Sequence, residues 1–151
     1  MTHSRPKPED FGEPDLRIAG FQLWVHGFEF PNDPNPYDGD WLRVTAHCGT
    51  QGASVWASGA IMMVSDLHRW ANQIEALLKG EIKEAALRPY EPALKIIVSP
   101  SDHIGHYVLR VQITPDHMTQ DHQFDFEIDQ TFLQPLCRQC LKIVTTHPNP
   151  G

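Results

Sequence analysis

The sequence predicts an α+β fold: a bent antiparallel sheet of about six strands, built as two successive β-β-β-α units, with two helices packed on one face. Three observations carry this expectation. Short runs of alternating apolar and polar residues recur along the chain, each bounded by Gly, Pro, Asp or Asn, which is the mark of half-buried strands. After the third and the sixth such run, apolar residues return at three- and four-residue steps, the period of an amphipathic helix. Either unit alone would leave a sheet face and a helix stripe in water, whereas two together bury both. The halves share an order of elements but no residue-level similarity.

In chain order, Leu16, Ile18, Phe21, Leu23 and Val25 alternate with polar or small neighbours and form the first strand, in one or two segments. Its phase slips near Gly20 and again before Phe28 and Phe30, so Gly20 and Gly27 are the expected bulges. Residues 41–48 form the second strand, with Leu42, Val44, Ala46 and Cys48 on one face and Trp41, Arg43, Thr45 and His47 on the other. Gly49-Thr50-Gln51-Gly52 is a tight connection, so residues 53–63 return antiparallel. Which face Val55 and Trp56 choose is open. Ser65 reads as an N-cap, and Leu67, Trp70, Ala71, Ile74, Leu77 and Leu78 draw a helical stripe that Gly80 ends. Residues 81–92 connect the halves, with another helical turn expected within 82–87. Strands follow at Leu94, Ile96 and Val98, at Tyr107, Leu109, Val111 and Ile113, and at Phe124, Phe126 and Ile128. The last helix carries Phe132, Leu133, Leu136, Cys137, Cys140, Leu141 and Val144, with Pro135 in its first turn, where its missing donor costs little.

The chain has 151 residues, enough for one domain, expected over 16–146 between an unordered arm, 1–15, and a frayed end, 147–151. A formal net charge of -7 argues against nucleic acid and anionic membranes as partners. It suits a basic protein partner, or simply solubility. Three cysteines are too few and too odd for a disulfide framework, and no run approaches the roughly 20 apolar residues of a membrane span. A cytoplasmic protein is the expectation.

Candidate chemistry is sparse. Cys137 and Cys140 have the spacing of a redox dithiol, but they fall mid-helix in the apolar stripe rather than at a helix start, so they read as core. His103, His106, His117 and His122 flank the fifth strand without any usual zinc pattern. No phosphate loop, nucleophile elbow or carboxylate pair for acid-base work is recognisable, so no catalytic residue, cofactor or metal is expected. Asp125, Glu127 and Asp129 share the outward face of the sixth strand, about 7 Å apart by strand geometry. They serve either to discourage edge aggregation or to dock a basic partner.

The most informative stretch is 26–44, which joins two strands through a loop with Pro31, Pro34 and Pro36 that neither strand can cross. Asp33, Asp38 and Asp40 lack the alternation and terminal Glu of a calcium loop and read as turn residues. Tyr37 and Trp41 are placed to clamp the loop to the sheet. Gly27-Phe28-Glu29-Phe30-Pro31, then Tyr37-Asp38-Gly39-Asp40-Trp41-Leu42, resembles the WapI family of bacterial immunity proteins. The later helix with Leu67, Trp70 and Leu77, ended by Gly80, is similar to the family too. The resemblance implies a small cytoplasmic protein that neutralises a polymorphic, contact-delivered toxin by blocking a surface. Candidate contacts are Asp33, Tyr37, Asp38, Asp40 and Trp41 in the loop, and Asp125, Glu127 and Asp129 on the strand, facing a basic toxin domain. The competing expectation is a small-ligand or metal-binding domain that uses the bent sheet as a cup with the histidine loops at its mouth.

Overall fold

The computed structural model describes residues 11–148. Of the expected arm, 1–15, residues 1–10 lie outside the described residues, as do 149–151 of the expected frayed end, 147–151. Four strands, β1 (Leu16–Ile18), β2 (Phe21–Phe28), β3 (Trp41–Thr50) and β4 (Ala53–Met63), lead without a loop into α1 (Val64–Leu78). The order then repeats with β5 (Ala85–Leu87), β6 (Leu94–Pro100), β7 (His106–Ile113), β8 (Gln123–Asp129) and α2 (Leu133–Thr146). All neighbours are antiparallel, and they form two separate four-stranded sheets, each in sequential order.

The α+β class and the two helices are as expected, whereas the single sheet of about six strands and the β-β-β-α units are not. Two three-residue strands make the difference. Ala19-Gly20 is a two-residue turn that folds β1 back onto β2, so the expected bulge at Gly20 is a hairpin instead. A Cβ on Gly20 would lie 2.7 Å from the Phe126 ring of the other sheet, which marks where the two sheets meet. The bulge expected at Gly27 is present: the β2–β3 register shifts between Val25 and Gly27, and Gly27 has φ 127°. Ala85-Ala86-Leu87, placed in an expected helical turn, is a fully buried strand paired to β6.

Each helix closes the edge of the sheet that it does not follow. From α1, Gln73 Oε1 accepts the Ala86 N–H of β5 at 2.7 Å and Trp70 Nε1 donates to Ala85 O at 3.3 Å. From α2, Gln139 accepts the Arg17 N–H of β1 at 2.7 Å and donates to Arg17 O at 3.2 Å, the pair of bonds that a neighbouring strand would make. Backbone groups left open at an edge are a template for unwanted pairing, and these side chains occupy them.

Both apolar stripes point inward. Leu67, Trp70, Ile74, Leu133, Cys137 and Cys140 are buried in one continuous core with the inner faces of both sheets. Phe132 departs from its expected place: it sits in a 3-10 turn before α2 and is exposed. α1 ends as its sequence requires. Gly80, at φ 75°, donates to Leu77 O and Glu81 donates to Ala76 O, the paired bonds of a glycine-terminated helix. Its start differs from the expectation, because the N-cap is Met63 and Ser65 lies within the first turn.

Candidate functional site

The proline-rich loop between β2 and β3 holds its shape through its own short polar side chains. Asp33 Oδ1 accepts the Asn35 N–H and Asn35 Oδ1 accepts the Tyr37 N–H, each at 2.9 Å, giving two consecutive turns. Gly39 N–H donates to Asn35 O at 2.8 Å, and Glu29 N–H donates to Trp41 O at 2.9 Å across the neck of the loop. A long-range bond fixes the loop to the rest of the molecule. Asp40, 4% exposed, accepts the Ser65 N–H in the first turn of α1 at 3.0 Å. Those first-turn amides have no partner within the helix, and a carboxylate there meets both the open donors and the positive end of the helix dipole.

Asp66 works beside Asp40. Its Oδ2 reaches back to the Met63 N–H at 2.8 Å, and its Oδ1 lies 3.4 Å from Arg69 Nη1. Burial pushes the Asp66 carboxyl above its ordinary pKa, while the Met63 amide and Arg69 oppose that shift. The loop, the start of α1 and residues 88–90 together frame an open cleft of about 440 Å³. Tyr37, Asp40, Asp66, Arg69, Arg88 and Tyr90 line it. The two acids are buried beneath, so the cleft shows solvent its phenols and guanidinium groups: Tyr37 is 71% exposed and Tyr90 82%. Arg69 and Arg88 pair with Asp66 and Glu84 yet remain more than half exposed.

The expected loop residues therefore divide. Tyr37 and Asp38 face solvent, Asp33 and Trp41 are half-buried, and Asp40 is an internal anchor. Tyr37 does not clamp the loop to the sheet; Asp40 holds it. Arg69, Arg88 and Tyr90 were not legible as site residues. A signal for Tyr90 was present, since Pro36-Tyr37 and Pro89-Tyr90 are the same dipeptide in two polar connectors.

On β8 the three acids do point outward, and two of them are engaged locally. Arg110 donates from Nε and Nη2 to the two oxygens of Asp125 at 2.9 and 3.1 Å. Asp129 accepts from both the hydroxyl and the amide of Thr131, which holds its carboxyl below the usual range. The Glu127 side chain makes no hydrogen bond or ion pair among the described residues.

The remaining candidates hold no assembled chemistry. The rings of His103 and His106 stand 6.0 Å apart, and no group of three or more potential metal ligands occurs among the described residues. Cys137 and Cys140 are unpaired and buried, and burial raises both thiols above the usual range. The outward face of the first sheet carries a ring cluster. Trp24 stacks on Trp56 at 5.9 Å, and Trp56 lies 4.3 Å from His47. Phe11 covers Trp24 from the segment before β1, and Asp15 bonds the β2 backbone. His47 lies between Gln22 and Ser54, and burial lowers its pKa.

No helix among the described residues is long and apolar enough to cross a membrane. No curated protein and no solved structure matches the chain. Residues 15–148 match the Immunity protein WapI-like family, a span from the segment before β1 to the residues just past α2 that includes both sheets, both helices and the cleft. The chain belongs to the WapI-like immunity protein family.

Proposed function

We propose that the chain is a non-enzymatic immunity protein that neutralises a toxin by covering part of its surface, through a single domain spanning 16–146. The cleft above the start of α1 is the principal contact. The observation that carries this reading is the pair of tyrosines, Tyr37 and Tyr90, each next to a proline, exposed, and flanked by Arg69 and Arg88. Tyrosine and arginine are the side chains that most often dominate binding energy, and proline limits the entropy lost when an adjacent side chain is immobilised. Asp33 and Asp38 add negative charge at the rim and suit a basic toxin domain, as does the net charge of -7. Asp40 and Trp41 position the loop rather than meet the partner. Of the three acids on β8, Glu127 is the one available for a second contact. Blocking needs no catalytic group, and the residues lining the cleft include no histidine and no cysteine.

The test is affinity for the toxic domain whose growth arrest the chain relieves. Tyr37→Ala and Tyr90→Ala are each expected to weaken binding by about tenfold or more, the loss of over 1 kcal/mol that marks a contact residue. Their thermal midpoints should not change, because both side chains are exposed. Undiminished affinity in both variants would remove the cleft as the contact.

A further inference from the structure

The two sheets have four edges, and three of them are blunted. Gln139 occupies the β1 edge, Gln73 and Trp70 the β5 edge, and Asp125, Glu127 and Asp129 lie along β8. Charged side chains on an edge strand oppose pairing with another chain. β4 is different: its 11 residues, ASVWASGAIMM, contain no charge and no proline. No second strand pairs with it among the described residues.

The direction of its free backbone groups follows from the ladder. Gly49 N–H donates to Gly20 O, on the β2 side of β3, so Cys48 and Thr50 direct their groups toward β4. Their partners Val55 and Ala53 point back, which leaves Ser54, Trp56 and Ser58 directing N–H and C=O to the open side. Gly59, at φ 138°, and the register shift that follows end the regular segment.

We infer that Ser54–Ser58 is a self-association edge, on which a second copy of this chain pairs antiparallel about Trp56 to make one continuous eight-stranded sheet. The sequence Ser54-Val55-Trp56-Ala57-Ser58 has matching chemistry on either side of its centre. A two-fold pairing about Trp56 therefore sets Ser54 against Ser58 of the other copy, Val55 against Ala57, and Trp56 against its own equivalent. Hydroxyl meets hydroxyl, apolar meets apolar and ring meets ring, the cross-strand pairs that favour a sheet. Ser54, Trp56 and Ser58 of both copies exchange backbone hydrogen bonds, and the Trp24–Trp56 stack continues across the two-fold. A copy of this chain also brings no charge to the seam, although each copy is acidic overall. An interface of five paired residues is small, which makes it a reversible dimer.

Sedimentation equilibrium of the full chain from micromolar to millimolar concentration tests this without any toxin. The expected result is a mass rising from one chain to two. Replacing both serines by Lys, S54K with S58K, sets like charges opposite each other and should raise the dimer dissociation constant at least tenfold. S54K with S58E restores opposite charges in the same register and should bring the dimer back. Circular dichroism of each variant shows whether the chain still folds. A wild-type chain that stays monomeric throughout overturns the proposal. So does a dimer that the lysine pair leaves unchanged, or one that the Lys–Glu variant fails to restore while remaining folded.

Discussion

Asp40 shows what a single residue does here and why its role is hard to read locally. In the sequence it is one of three acids in a proline-rich loop, indistinguishable from Asp33 and Asp38 as a surface charge. In the fold it is buried and accepts a bond from Ser65, 25 positions away. That distance leaves no local signal, because the carboxylate finds its partner only after the β3–β4 hairpin has brought the start of α1 back to the loop. Asp40→Ala should cost about 1–2 kcal/mol, the usual loss when a helix N-terminus gives up its side-chain acceptor. Urea denaturation checks it, and Asp38→Ala, at an exposed neighbour, should leave the midpoint in place. Equal effects of the two substitutions would mean that the anchor is not Asp40. The alternating faces of β3, by contrast, were legible residue by residue. Leu42, Val44, Ala46 and Cys48 are buried as the period requires and Arg43 is exposed, although Thr45 on the other face is buried too, bonded to His26 and Ser58. A period-two pattern over a long strand depends only on neighbours in sequence.

At the scale of elements, legibility followed length. β3, α1 and α2 run for 10 to 15 residues and show their period plainly, whereas β4, though 11 residues long, left the faces of Val55 and Trp56 open. β5 has three residues, too few to show one; in β1 the alternation of Leu16 and Ile18 was legible but not its fold back onto β2, and both strands meet side chains of distant helices. The split into two sheets was hidden as well, since the edges at β5 and β1 are met by Gln73 and Gln139, which no local pattern connects to them. β8 teaches a related lesson. Its acidic face was evident, but the partners that engage Asp125 and Asp129 were not. Neutralising all three acids would therefore disturb local structure along with charge. Glu127→Gln alone separates the two effects. If β8 is a second contact for a basic toxin, this variant should associate about twofold more slowly at low salt, with unchanged stability and a flatter salt dependence. Rates equal to the parent at every ionic strength would confine the acids of β8 to protecting an edge.

For the whole molecule, the order of elements and the loop between β2 and β3 carried the family resemblance, and the family match over residues 15–148 bears it out. The cleft was not legible at that scale because it is assembled from a loop, a helix start and a connector that lie up to 54 positions apart, from Pro36 to Tyr90. On the proposed function, such a chain protects by occupying a surface rather than by chemistry. Titration of a fixed amount of active toxic domain with the chain tests it most directly. Blocking predicts that inhibition grows in proportion to added chain, is complete at one chain per toxin, and reverses when the complex is separated. Trace amounts of chain that abolish all toxin activity over time, with no recovery on separation, would contradict it and point to a catalytic protein.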